Sequence, residues 1–399
     1  MHILHTLSAP GWGGREARTL ETAVWQAAHG HDVILAAPGQ SESAERAQNF
    51  GLAFESIDFS TASGREIIRA LRSIVHRYRV ELIDAHGDRD ARFLLALKDL
   101  TTVVRTCHDT ELRPRVPWKR RLLWRISFDR VIAVAHCIAS QLTERGMSEP
   151  AGCSTVGEWS SDEFFVEPNE ERILALRSGL ALEPGCLTIG AFGVVGPAKG
   201  FHTLIQALAI LNELGLRTRL LLVGGSGHKR GVLEGDLLEL AALARRLGVH
   251  RQILFTGLRD DICDLLKLID VLVAPALVES RTRIVPAALA AGIPVIASAT
   301  AGMRELIEPG ITGWLTPPGD VKRLAECIRT VAADPEERAR RAANGRAFAL
   351  THLRQDGMMA LTLTAYEEAM RTAARRWIRP RYAPAGVTSA KAPVGSSAV

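Results

Sequence analysis

The chain has 399 residues, 47% of them hydrophobic and 23% charged, which is enough to bury two cores and rules out a disordered or fibrous polypeptide. The formal net charge is +5 with acids and bases interleaved, so general nucleic-acid binding is not implied and no nucleic-acid partner is expected, while some preference for anionic ligands remains. Nothing reaches the run of about 18 apolar residues that a membrane span requires, and no basic leader or cleavage site precedes the first apolar run, so the expected location is cytoplasmic.

In chain order, the first half alternates strand-like runs with amphipathic helices. His2 to Leu7, Asp32 to Ala37, Phe54 to Phe59, Glu81 to Ala85, Val103 to Thr106 and Val131 to Val134 read as strands. Helices are expected at Glu16 to His29, Arg65 to His76 and Arg89 to Leu97. Short continuous apolar strands separated by helices imply a parallel sheet covered on both faces. Ligands of such sheets bind at the carboxyl ends of the strands. The segment 166–185 mixes charge, Pro and Gly around one short helix and reads as a linker.

The alternation restarts at Cys186 to Gly193 and continues with strands at Arg219 to Gly225, Ile253 to Gly257 and Gly313 to Pro317. Helices are expected at Phe201 to Glu213, Leu237 to Leu247, Ile262 to Leu268, Val321 to Ala333 and Pro335 to Phe348. A last helix, within 356–378, is long enough to pack back on the first half, and the Pro/Ala/Ser-rich tail 379–399 is expected to be disordered. The expectation is two doubly wound α/β domains, 1–165 and 186–355, facing a central cleft.

Between the apolar runs Val271 to Pro275 and Ile293 to Ser298 lies a helix-length Ala/Leu segment, with Glu279, Ser280 and Thr282 at its mouth. Free N–H groups and the helix dipole there suit a phosphate or diphosphate. Other strand-end loops share this character. Pro10 to Glu16 holds Gly13 and Gly14 before the first helix, and Gly193 to Gly200 carries Lys199. Neither is a dinucleotide fingerprint or a Walker loop. A plain tight turn is the competing reading of the first, and a solvated lysine of the second. The basic loop Gly224 to Arg230 is a weaker candidate. His86 and the pair His108 and Asp109 follow expected strands, so they belong to the edge lining the cleft, although a histidine beside an apolar strand can be purely structural. The six cysteines show no paired or ligand-like spacing and read as buried free thiols.

Gly13-Gly14-Arg15-Glu16, Gly30 to Val33, His108, Lys199-Gly200, Leu222 to Gly224, Phe255 to Gly257, Asp270, Pro275, Glu279 and Ala290 to Pro294 together resemble the group-1 (family 4-like) retaining glycosyltransferases of the GT-B fold. Gly302, Glu305, Gly313 and Pro318 to Asp320 extend the resemblance, which covers roughly residues 1 to 350. It implies a transferase that moves a sugar from a nucleotide-sugar donor held by the second domain to a glycan or lipid-linked acceptor held by the first, in polysaccharide, lipopolysaccharide or glycolipid assembly. Carried over by residue, His108 and Glu279 would be catalytic. Gly13, Gly14, Lys199, Ser280, Arg281 and Thr282 would hold the donor diphosphate and sugar, and Glu16, His86 and Asp109 would lie on the acceptor side. No metal or other cofactor is expected, since a lysine and helix N–H groups can meet the charge of the leaving diphosphate.

Two positions depart from the family pattern. Val194 replaces a usual arginine, and Ala287 replaces the second glutamate of the E-x7-E motif, a carboxylate that would hold the donor ribose. Arg281 and Arg283 could resupply charge, or be ordinary surface arginines. A catalytically silent scaffold of the same fold, or a nucleotide-sugar epimerase, are the competing functions. Finally, Pro117 to Ile126 alternates Lys119, Arg120 and Arg121 with Trp and Leu. Such a helix can rest on the anionic inner face of a cell membrane, or pack its apolar side on the sheet.

Overall fold

The computed structural model describes residues 1–108, 117–225, 235–278 and 282–378. In the first half the apolar runs form β1 (His2–Thr6), β2 (Asp32–Ala37), β3 (Ala53–Ser56), β4 (Leu82–Ala85), β5 (Thr102–Cys107), β6 (Arg130–Ala133) and β7 (Cys153–Thr155). They pair in parallel in the order β3-β2-β1-β4-β5-β6-β7. The second half forms β8 (Leu187–Phe192), β9 (Thr218–Val223), β10 (Ile253–Gly257), β11 (Val271–Ala274), β12 (Val295–Ser298) and β13 (Trp314–Thr316). These are also parallel, ordered β10-β9-β8-β11-β12-β13.

Strand order reverses between β1 and β4 in one sheet and between β8 and β11 in the other. Loops leaving two strands on either side of such a point diverge and open a crevice at their carboxyl ends. The loops concerned carry Gly13 and Gly14, His86, Lys199, and the stretch after Pro275. Topology alone therefore gathers the sequence candidates at two crevices.

Each sheet has its own core. Leu4, Ile34, Ile83 and Val103 pack with Ile67, Leu71 and Ile74 of the helix Gly64–Tyr78, whose start is fixed by a capping box between Ser63 and Glu66. Ile189, Leu220, Leu222 and Val273 pack with Leu204, Ile205 and Leu208 of the helix Phe201–Glu213. The last helix, Gln355–Ile378, follows the second core but buries Ala365, Tyr366 and Ala369 on Ile3, Leu82, Val104 and Ile132 of the first sheet. Within 166–185, the helix Glu170–Gly179 lays Ile173 and Leu176 against the second core, so this segment is docked on that core.

Several local expectations change. The stretch Arg89 to Leu97 is not one helix but a turn of helix, Asp88–Ala91, followed by a 3-10 turn, Leu94–Leu97. The Asp90 carboxylate is drawn back to Thr6 and to the backbone of His86 and Gly87, which breaks the run. β7 has no apolar signature; it is a three-residue edge strand paired only to β6. Of the six cysteines, all free, only Cys107 is buried and the others are partly exposed. The helix after β11 is short, Ile284–Ala290, and Thr282 keeps its expected place at the mouth, next to the cap residue Arg283. The expected tail 379–399 lies outside the described residues.

Candidate functional site

In the second sheet, the strand-end loops are laced by backbone hydrogen bonds. Gly193 and Val195 donate to Val223 and Gly225, Gly224 donates to Gly257, and Leu277 donates to Ala198. Two glycines make this closeness possible. A Cβ on Gly200 (φ +68°) would lie 2.0 Å from the Pro275 carbonyl oxygen, and one on Gly224 (φ +141°) would lie 1.9 Å from that of Gly193. Lys199 ends the 3-10 turn Pro197–Lys199, and its side chain runs over Gly193, with Cε 3.8 Å from where a Cβ there would stand. The ends of β8, β9 and β11 thus meet around one lysine. Val194 gives this loop an aliphatic side chain, not the arginine that the resemblance implies. Ala287 is 5% exposed and belongs to the second sheet's apolar packing, so no carboxylate faces a ribose from that position.

In the first sheet, Gly13 caps the helix Gly14–Ala28 in extended conformation, and Glu16 in the first turn folds back, its Oε2 3.2 Å from where a Gly13 Cβ would be. Glu16 is buried, so it shapes the loop more than it presents a carboxylate to solvent. His86 is buried directly after β4, and His108 follows β5. Their rings join: His86 Nδ1 lies 3.0 Å from His108 Nε2, and His86 Nε2 lies 2.9 Å from Nδ1 of His5, inside β1. His5 Nε2 is 2.8 Å from Gln26 Oε1. Beneath this row Asp84 accepts from Thr106 at 2.9 Å and from Tyr366 at 2.7 Å.

Burial holds the imidazoles neutral. It pushes His5 below the usual histidine range and His86 and His108 well below it, aided at His86 by its histidine neighbours and at His108 by Arg18, Arg15, Arg105 and Arg283. Burial raises Asp84, and burial next to Asp84 raises Tyr366 well above the phenol range. Ligand atoms of His5, Asp84 and His86 lie within 4.8 Å of one another, a spacing a metal ion could use. Those atoms are already engaged with each other, with Gln26, Thr106 and Tyr366.

The two halves meet through Arg283. Its Nη2 donates to Glu21 at 2.5 Å, and its guanidinium stands 5.8 Å from the Trp159 ring, which Arg18 covers from 4.2 Å. Trp159 in turn donates to the same Glu21 carboxylate. Gly14 passes directly beside this arginine, 3.6 Å from its Cδ at the Cβ position. A second contact brings the Glu305 carboxylate of the second half to the backbone N–H groups of His136 and Cys137, at 2.9 and 2.8 Å.

The structure therefore places Gly14, His86 and His108 at strand ends of the first sheet, Lys199 among the strand-end loops of the second, and Arg283 where the halves meet. Asp109, Glu279, Ser280, Arg281 and the basic loop from Ser226 to Arg230 lie outside the described residues. Sequence reasoning missed His5, Gln26, Asp84, Tyr366 and Glu21. His5 carries a faint signal, a histidine within an otherwise apolar strand; the others look like ordinary helix or strand residues.

A model of the group-1 glycosyl transferases matches residues 177–348, and a model of glycosyltransferase family 4 matches residues 12–151. The putative glycosyltransferase EpsD of Bacillus subtilis (strain 168) is 26% identical over 340 residues, spanning 82% of this chain and 86% of the relative. A D-inositol 3-phosphate glycosyltransferase of Mycobacterium sp. (strain JLS) is 28% identical over 217 residues, spanning 54% of this chain and 47% of that enzyme, so about half of the relative's length is matched. Among solved structures, a glycosyltransferase from Rickettsia africae ESF-5 superposes with a TM-score of 0.83 at 17% identity, covering 93% of this chain and 98% of its own. Anabaena HepE, in complex with UDP and glucose, gives 0.80 at 22% identity, with 92% and 99% covered. With one family model on each sheet and both sheets shared by these structures, the chain belongs to the group-1, family 4-like glycosyltransferases of the GT-B fold.

Proposed function

We propose that this protein transfers a sugar from a nucleotide-sugar donor, gripped by the loops of the second sheet, to a glycan or lipid-linked acceptor at the edge of the first, with retention at the anomeric carbon. The observation that carries the reading is the closure of β8, β9 and β11 around Lys199, with backbone so close that only glycine fits at positions 200 and 224. HepE, which shares the fold, holds UDP and glucose.

As the glycosidic bond to the diphosphate breaks, negative charge accumulates on the departing phosphates. A lysine and fixed backbone amides stabilise that charge more in the transition state than in the ground state. Arg283 adds to this set. Its Nη1 is buried without a hydrogen-bond partner among the described residues, so it has a donor to offer a phosphate oxygen and supplies the cation that Val194 does not. With these cations in place we assign no metal cofactor. Glu279 would contact the donor sugar and His108 the reacting face. Glu16, His86 and Asp109 remain on the acceptor side, Glu16 and His86 acting from buried positions.

No described helix is long and apolar enough to cross a membrane. The helix Trp118–Ser127 nonetheless leaves Trp118 63% exposed, Leu122 52%, Leu123 50% and Ile126 47%, beside Lys119 and Arg121. Among the apolar side chains described in this helix, Trp124 turns inward, edge-on to Phe128. An apolar strip flanked by bases favours peripheral contact with an anionic inner membrane face, where lipid-linked acceptors for polysaccharide, lipopolysaccharide or glycolipid assembly reside.

The test is a thermal-shift panel of nucleoside diphosphates and their sugars, followed by product analysis. One family of nucleotides should raise the melting temperature, because it binds the folded state alone, and Lys199→Ala should abolish the rise. No shift across the panel would remove the reading, and an inverted product anomer would remove retention.

A further inference from the structure

Three histidines from neighbouring parallel strands lie on one line of hydrogen bonds running from Gln26 through His5 and His86 to His108, with links of 2.8, 2.9 and 3.0 Å. A neutral imidazole has one N–H and one lone pair, so the choice made at one end of such a line dictates every ring after it. Two groups make that choice, and they agree. Gln26 turns its carbonyl oxygen to the line, and an oxygen only accepts, so His5 donates from Nε2 and keeps its lone pair on Nδ1. Independently, Asp84 Oδ2 lies 3.6 Å from His86 Nε2 and favours a proton on that nitrogen. Hydroxyls of Thr106 and Tyr366 donate to Asp84 and keep it an acceptor. His86 then gives its Nε2 proton to His5 and receives at Nδ1, which requires His108 to donate from Nε2.

A core that needed only to be filled would hold apolar side chains here, since every one of these polar groups had to be stripped of water. We infer that Gln26, His5, His86 and Asp84 are positioning residues that lock His108 in its Nε2–H form, so that its Nδ1 meets a substrate hydroxyl as a hydrogen-bond acceptor. That the hydroxyl belongs to a sugar donor or its acceptor rests on the transferase reading. The locked form of the ring does not.

The experiment is a long-range proton–nitrogen correlation spectrum of the full chain carrying 15N-labelled histidine, at about pH 7.5, with His108 assigned by its loss in His108→Gln. The expected spectrum shows His108 protonated at Nε2 with the lone pair on Nδ1. In His86→Leu the two forms of His108 should mix. In the same variant kcat should fall roughly tenfold or more, as when an outer-layer partner of a reacting histidine is removed, while KM for the donor stays constant. His86→Gln, which can both accept and donate, should recover part of the loss. A wild-type spectrum with the proton on Nδ1, or an even mixture, overturns the relay without any variant having to fold. Turnover with the wrong form refutes the relay and leaves the transferase standing; the expected form with no sugar transferred from any donor supports the relay and removes the transferase reading.

Discussion

Mild acid should loosen the first sheet at its centre. His5, His86 and His108 are held neutral by burial when folded, whereas in the unfolded chain each takes a proton below about pH 6.5. Between that pH and their lowered folded values the unfolded state binds up to three protons that the native state does not, so stability is intact above about pH 7 and falls as the pH drops. Each proton contributes about 1.4 kcal/mol per pH unit, giving at most about 4 kcal/mol per unit from the three together. Asp84 and Asp90 are shifted upward by burial, so they bind protons in the folded state that the unfolded state releases, and they oppose the loss as the pH nears the carboxylate range. The assay is amide hydrogen exchange in β1 and β4, corrected for intrinsic rates, from about pH 8 to about pH 5.5, which reports local opening where a two-domain chain has no single unfolding energy. His108→Asn should reduce the slope by about one proton. An opening energy that stays flat across this range, or a slope unchanged by His108→Asn, would refute the argument.

Gly200→Ala should cost more than the roughly 1–2 kcal/mol of a left-handed residue, because its Cβ collides with the Pro275 carbonyl; a lowered melting temperature with lost nucleotide binding is expected, and normal binding would show that the loops do not have to meet there. Arg283→Ala leaves Glu21 without its cation and should remove about 1–3 kcal/mol of stability while weakening nucleoside diphosphate binding; an unchanged dissociation constant would restrict Arg283 to joining the halves. Arg281→Ala is the parallel test of charge replacement at the neighbouring arginine. Neutralising Lys119, Arg120 and Arg121 should reduce co-sedimentation with anionic vesicles, and equal pelleting of wild type and variant would show that the exposed helix serves another purpose.

The sequence by itself determined the two parallel sheets, since short unbroken apolar runs between amphipathic helices can satisfy both sheet faces in no other way. It also marked Gly13, Gly14, Lys199, His86 and His108, because a strand's carboxyl end is followed at once by the residue that must face the crevice. Tertiary structure alone decided what those residues touch. Asp84 and Tyr366 are 282 positions apart, and Glu21 and Arg283 are 262 apart. No periodicity links such pairs, and a glutamine on a helix or a histidine in a strand has the same local pattern whether it fills space or joins a hydrogen-bonded row. Their roles come into being only when separate segments are brought together and stripped of water, since a polar side chain in that setting must find its partners in the protein.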